Sequence, residues 1–278
     1  MSDLLLKVEG AGNDFLLGIG RWADRLGSEP ALVRRLCDRR HGIGADGTLA
    51  LTAAGPGRVC LRYRNADGGE ARFCANGTRY AARAAVELLG CFSPLTVATG
   101  WGEIPARVAG AAVSLELPPP EAPPCRPRLT AGSAAVGVEL YELGVPHLVV
   151  GAPAPLAEIA LAGVAAPLRS DPALGPEGAN VNLYEILPDG TVAVRSWERG
   201  VEGETACCGS GLVAVALAVM AGRGLRELRL RAASGVLLTV EALGEPPRCA
   251  TRLSGPARVV AEVHPAAELL AGLESGGR

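Results

Sequence analysis

The sequence predicts an α+β fold made of two similar halves, each mostly strands with one buried helix. Three observations carry this. First, residues 69–77 read Gly-Glu-Ala-Arg-Phe-Cys-Ala-Asn-Gly and residues 203–211 read Gly-Glu-Thr-Ala-Cys-Cys-Gly-Ser-Gly. Both fit G-E-x-x-x-C-[AG]-[NS]-G, and Cys74 and Cys208 stand 134 residues apart in a chain of 278. Second, the same offset carries Tyr63 onto Trp197, Gly10–Asn13 onto Gly144–His147, and Ala45-Asp46 onto Ala179-Asn180. A repeat this long means duplicated domains rather than a solenoid. Third, each cysteine is followed by a helix-like run and preceded by β-branched, strand-like sequence.

In chain order, Leu4–Val8 reads as a strand, followed by a glycine turn at Gly10–Asn13 and an extended Phe15–Leu17. Pro30–Arg40 begins with proline at a first-turn position and has apolar residues at helical spacing, so a helix is expected. His41–Gly47 is a loop with three glycines. Thr48–Leu51 and Val59–Arg64 are strands around Gly55-Pro56-Gly57, and Asn65–Gly69 is a tight loop. Asn76–Leu89 is a helix stopped by Gly90. Leu95–Ala98, Ala106–Val108 and Val113–Leu117 are short strands. The prolines at 118–120, 123, 124 and 127 form a stiff connection and the domain boundary, giving domains 1–118 and 119–278.

The second half follows the same order. Val136–Leu143 and His147–Val150 read as strands and Ala157–Val164 as a short helix. Asn180–Leu187 and Thr191–Trp197 form a hairpin, with Asp189-Gly190 signalling a type I′ turn. Leu212–Ala221 is a continuous apolar run, read as a buried helix. Glu227–Ala232, Val236–Ala242 and Ala257–Val263 are strands, and the tail 274–278 is expected to be disordered.

Composition excludes several classes. A net charge of −2 and the lack of a basic stripe argue against nucleic acid. The longest apolar run is too short for a bilayer and no stretch reads as a signal peptide, so the cytosol is expected. The spacings of the eight cysteines and three histidines give no zinc pattern, and no metal is expected. Lys7 is the only lysine. A pyridoxal phosphate Schiff base would have to use it, so no cofactor is expected.

A cysteine just before a helix has its thiol pKa lowered by the helix field, and the exposed N–H groups of the first turn form an anion site. Two thiols facing each other across a pseudo-two-fold cleft suit proton transfer at a carbon beside a carboxylate. One acts as thiolate base, the other as thiol acid, and they exchange roles in reverse. Helix N-termini aimed at the carboxylate would stabilise the developing charge. The competing readings are a chance pair of core cysteines and a redox pair closing to a disulfide. Cys207 reads as a packed neighbour.

The motifs that carry a family likeness span both halves in order: Gly12-Asn13-Asp14-Phe15, Gly42–Gly47, Asn65-Ala66-Asp67-Gly68, Cys74–Arg79, Gly144-Val145-Pro146-His147, Asn180-Val181-Asn182 and Glu198-Arg199-Gly200 running into Cys208-Gly209-Ser210-Gly211. With them the chain resembles the diaminopimelate epimerase family, cofactor-independent two-cysteine enzymes of lysine and peptidoglycan precursor synthesis. The resemblance covers roughly residues 4–265. It implies two pseudo-symmetric domains, each a curled, mostly antiparallel sheet around a central helix, with the last strand, about 257–263, a candidate to return to the first domain. It implies isomerase activity, with Cys74 and Cys208 as the acid/base pair. Backbone N–H groups of Ala75, Asn76, Gly209 and Ser210 would hold the reacting carboxylate. Asn13, Asn65, Asn180, Glu198 and Arg199 would bind the amino and carboxylate groups. His147, Asp46, Gly47 and Val145 would shape the site. An amino-acid substrate and a homodimer are expected. Many members carry asparagine at Val145 and glutamine at Gly47, which keeps open another racemase of this fold, for example for histidine. A non-catalytic binding protein is the reading from a different class.

Overall fold

The computed structural model describes residues 3–131 and 134–271; the tail at 274–278 lies outside the described residues. Two compact units emerge, one from 3–115 with 256–271, the other from Glu116–Gly255. No helix among the described residues is long and apolar enough to cross a membrane.

The first unit contains β1 (Leu4–Gly10), β2 (Asn13–Ile19), α1 (Arg21–Ser28), α2 (Pro30–Cys37), β3 (Gly47–Ala53), β4 (Arg58–Asn65), β5 (Glu70–Ala71), α3 (Ala75–Leu88), β6 (Leu95–Thr99) and β7 (Gly102–Ala109). β8 (Ala112–Leu117) leads into the second unit. There follow β9 (Leu129–Ala131), β10 (Ala134–Val136), β11 (Val138–Glu142), β12 (Pro146–Gly151), α4 (Leu161–Arg169), β13 (Asn180–Ile186), β14 (Val192–Glu198), β15 (Gly203–Thr205), α5 (Gly209–Arg223), β16 (Glu227–Arg231), β17 (Leu237–Ala242) and β18 (Thr251–Pro256). β19 (Arg258–Glu262) and α6 (Ala267–Leu270) belong to the first unit again.

The two sheets share one plan. In the first unit the order is β19–β1–β2–β3–β4–β6–β7–β8, antiparallel except at β2–β3 and β4–β6. In the second it is β11–β12–β13–β14–β16–β17–β18, antiparallel except at β12–β13 and β14–β16. A parallel step needs a long crossover, and helices supply it. In each unit one crossover (α1 and α2, or α4) covers one face of the sheet. The other, α3 or α5, is enclosed. α3 touches β1, β2, β3, β4, β6 and β7, and α5 touches β12, β13, β14, β16 and β17.

Alternation along β2 shows the two layers. Phe15 meets Tyr80 of α3, ring centroids 5.7 Å apart. Its neighbour Leu16 packs with Trp22, Leu26 and Leu36 of α1 and α2. Small residues let a sheet close around a helix. From Ala75 to Ala85 of α3 only Arg83 escapes burial, and α5 buries the whole run Gly211–Leu217. α5 ends at Gly224, which takes the left-handed conformation at φ 65° that only glycine adopts without strain.

The structure corrects several expectations. The helix expected over Pro30–Arg40 ends at Cys37, because the Asp38 carboxylate captures the N–H groups of Arg40 and His41 at 2.8 and 2.7 Å. The short helix expected over Ala157–Val164 is a single 3-10 turn, Leu156–Glu158, followed by α4. The strand expected over Val136–Leu143 breaks at Gly137. The β13–β14 connection is not type I′, since Gly190 has positive φ but Asp189 does not. The Gly190 N–H reaches Leu187 O at 2.9 Å across Pro188, which sits where a type I turn favours proline. The type I′ turn is in the β1–β2 hairpin, at Ala11 (φ 59°) and Gly12 (φ 84°).

Candidate functional site

Cys74 and Cys208 are the N-cap residues of α3 and α5, both with extended backbone. The first-turn N–H groups of a helix have no intrahelical partner, so each cysteine sits beside a set of converging donors. The glycine three residues on is needed for packing. A Cβ on Gly77 would lie 2.7 Å from Leu49 of β3, and one on Gly211 would lie 2.1 Å from Asn182 Oδ1 of β13. The final glycine of each twin motif therefore lets the cysteine-bearing helix end approach its central strand.

In the first half-site, Cys74 Sγ accepts from the Gly77 N–H at 3.4 Å, and Thr78 Oγ1 donates to Cys74 O at 2.8 Å. The side chains of Asn13 and Asn76 meet: Asn76 Nδ2 donates to Asn13 Oδ1 at 3.1 Å, and Asn13 Nδ2 donates to Asp46 Oδ2 at 2.6 Å. Arg39 spans Asp46 at 2.6 Å and Asp14 at 2.7 Å. Asp14 also holds Lys7 at 2.5 Å. Burial opposes ionisation of Asp14, but the hydrogen bonds and charges of Arg39 and Lys7 outweigh it and bring the carboxyl down to about 2. The lysine amine is thus committed to this cluster. Asn65, at the end of β4, makes no side-chain hydrogen bond to a described residue and is half-buried. Gly47 has no room for a side chain, because a Cβ would fall 2.4 Å from the Arg64 carbonyl oxygen.

In the second half-site, Cys208 is buried, with Ser210 Oγ 3.9 Å from its sulfur. Asn180, at the repeat position of Asp46, accepts the Arg199 N–H at 2.8 Å. The Arg199 guanidinium reaches the exposed Glu177 at 3.2 Å. Glu198 accepts the Thr205 hydroxyl. Asn182 organises the interior. Its Nδ2 donates to Leu148 O at 3.0 Å and lies 3.3 Å from His147 Nδ1, and its Oδ1 accepts from Ser196 at 2.8 Å. Since the Leu148 carbonyl can only accept, the Asn182 nitrogen is a donor to both partners. The His147 proton therefore sits on Nε2, which has no partner among the described residues. Burial, then the Arg199 charge, pushes the His147 pKa down to about 3. Val145, in the preceding turn, is half-buried, and its carbonyl accepts from Leu143 N–H at 3.1 Å.

The expectation of a lowered thiol pKa at Cys208 is overturned. Burial raises it well above the ordinary cysteine value, and the Glu198 charge adds to the rise. The Gly211 N–H offsets this only in part. A partial helix charge cannot match the loss of hydration around a buried thiolate. Glu198, read from sequence as a partner for a substrate ammonium, thus also acts on Cys208. The side-chain roles of Asn76 and Asn182 were missed; for Asn76 the fixed spacing from Cys74 was the available signal.

The sequence matches the family model for diaminopimelate epimerase over residues 5–115 and 140–260. The diaminopimelate epimerase of Gemmatimonas aurantiaca is 36% identical over 219 residues, covering 76% of this chain and 77% of that one. The enzyme of Mycolicibacterium smegmatis is 35% identical over 271 residues, covering 85% and 90%. Among solved structures, a hydroxyproline epimerase from Agrobacterium vitis with bound trans-4-hydroxy-L-proline matches with a TM-score of 0.69 at 17% identity, covering 94% of this chain and 90% of that one. A phenazine biosynthesis protein of the PhzF family from Enterococcus faecalis matches at 0.69 and 18%, covering 95% and 100%. At such identities the structural likeness speaks for the fold alone. The sequence matches carry more, and by them this chain belongs to the diaminopimelate epimerase family.

Proposed function

We propose that this protein interconverts LL- and meso-diaminopimelate without an organic cofactor, using Cys74 and Cys208 as a two-base pair. The observation that carries the reading is the duplicated position of the two cysteines, each the N-cap of an enclosed helix in the same sheet plan. The family relationship supports the substrate.

A Cα–H beside a carboxylate is a weak acid. Its removal needs a base on one face and the return of a proton needs an acid on the other. In one direction Cys74, as thiolate, takes the proton and becomes a thiol. The electron pair left on Cα spreads into the carboxylate. The N–H groups of Ala75, Asn76, Gly209 and Ser210 hold that carboxylate and favour the added charge. Cys208 then gives its proton to the opposite face and is left as thiolate. The reverse reaction exchanges the roles, and no proton is lost overall. The high pKa of Cys208 supports its starting as the protonated partner. Arg199 grips the distal carboxylate bidentately, and Asn13, Asn65 and Asn180 contact the amino-acid ends.

The test is turnover in deuterated water, followed by NMR of the α-proton and chiral analysis of the product. LL-diaminopimelate should exchange its α-proton and yield the meso form, while lysine, histidine and glutamate should not react. Faster turnover of histidine would overturn the substrate, and no exchange with any of them would overturn the chemistry.

A further inference from the structure

Among the described residues, Arg79 is one of the largest side chains with no solvent exposure. Its position in α3 corresponds, by the 134-residue offset, to Val213 in α5. The enclosed helix can therefore be built with an apolar residue there. A buried guanidinium is costly unless its charge is balanced. Among the described residues no carboxylate pairs with Arg79, and its NH1 has no hydrogen-bond partner. Its remaining bonds are to neutral acceptors. NH2 donates to Asn76 Oδ1 at 2.8 Å, and Nε donates to Pro256 O at 3.4 Å.

The bond to Asn76 sets a direction. Arginine can only donate, so the Asn76 oxygen faces it and the Asn76 nitrogen faces Asn13. The Asn13 oxygen then faces Asn76 and its nitrogen faces Asp46. One donor at Arg79 thereby fixes the orientation of two carboxamides beside the Cys74 helix end. The same group places a full positive charge in the second turn of α3, where it adds to the positive end of the helix. A purely structural reading exists, since Pro256 O and Ala257 O are bound by Arg79 and Arg83 and tie the returning chain to α3. Arg83 is partly exposed and paired with Glu87, however, whereas the Arg79 charge is unbalanced.

We propose that Arg79 is a positioning residue of the Cys74 half-site, which orients Asn76 and Asn13 and provides the charge that an anionic carboxylate at the N-terminus of α3 balances. Naming that carboxylate as the substrate's rests on the proposed epimerase activity.

The experiment compares alkylation of Cys74 by iodoacetate and by neutral iodoacetamide, with the modified peptide followed by mass spectrometry. The carboxylate of iodoacetate stands in for that of the substrate. The iodoacetate-to-iodoacetamide rate ratio should fall about tenfold in Arg79→Gln, as expected for loss of one nearby charge in a protein interior. It should stay within about twofold of wild type in Arg79→Lys, which keeps the charge. With diaminopimelate, Arg79→Gln should lower kcat more than it raises KM, and Arg79→Lys should recover part of kcat. An unchanged ratio in folded Arg79→Gln, or equal falls in both variants, overturns the proposal. If Arg79→Gln does not fold, Arg79→Lys decides alone: a tenfold fall despite the retained charge overturns it, and a preserved ratio supports it. A wild-type protein inert towards diaminopimelate would sink the functional reading, while the alkylation ratio would still judge Arg79.

Discussion

Gly211 and Asn182 pack so closely that a Cβ on the glycine would stand 2.1 Å from the asparagine Oδ1. Asn182 cannot yield, because its carboxamide is bound at Leu148, His147 and Ser196. Gly211→Ala should therefore destabilise the protein by about 2–4 kcal/mol, at the severe end for overpacking. Gly222→Ala, in the same helix with nothing within 4 Å of the new carbon, should be neutral or stabilise by roughly 0.5–1 kcal/mol. Urea unfolding of the two variants checks the contrast.

Cys74→Ala and Cys208→Ala should each abolish epimerisation with little change in unfolding midpoint, because the proposed two-base mechanism assigns each thiol one of the two proton transfers. Cys207→Ala should keep most activity, since Cys207 is a buried neighbour rather than the helix cap. A dead Cys207→Ala with a live Cys208→Ala would reverse the assignment.

His147 makes stability depend on pH in a defined window. The unfolded side chain binds its proton near 6.5 and the folded one only at about 3. The unfolded state therefore holds more protons between these values, and stability present above pH 6.5 is lost as pH falls towards 3. At about 1.4 kcal/mol per unit the loss amounts to several kcal/mol. Replacing His147 with Gln should flatten the pH dependence of the unfolding free energy across that window. An unchanged slope would mean that His147 does not stay neutral in the folded protein.

Arg199 is held by its backbone at Asn180, while its guanidinium pairs with an exposed glutamate. An incoming carboxylate can take over a pair of that kind at low cost. Arg199→Met should lose roughly 2–5 kcal/mol of transition-state binding, read as kcat/KM for diaminopimelate, with thermal stability unchanged. A loss below tenfold would move recognition of the distal carboxylate to another residue.

What the sequence made legible followed from strong local signals. The twin cysteine motif, both enclosed helices and most strands were readable because β-branched runs, glycine stops and all-apolar stretches point one way. α1 was missed because Arg21–Ser28 is short, has only three apolar side chains and contains Gly27, a poor helix former. It is held by burying Trp22, Ala23 and Leu26 and by the Arg25–Glu29 pair at 2.9 Å. β5 and β18 were missed because two residues, or a segment containing Gly255 and Pro256, carry no strand pattern of their own. The β13–β14 turn was misread because Asp-Gly signals a type I′ turn only when both residues can take positive φ, and the preceding Pro188 suits a type I turn instead. In the site, the cysteines, asparagines and the Glu-Arg pair were readable as residue types in a pattern. The direction of the Cys208 shift was not, because it depends on burial, which a motif does not encode.

β1 has β2 on one side and β19 on the other, and β19 is separated from it in sequence by the whole second unit. During synthesis, then, β1 must keep one edge unpaired until the whole second unit and then β19 have left the ribosome. The second unit has its full strand complement by Pro256 and can close earlier. A chain stopped just short of Arg258 would carry a complete second unit and a first unit with a bare outer edge at β1, a surface suited to adding a strand from another nascent chain.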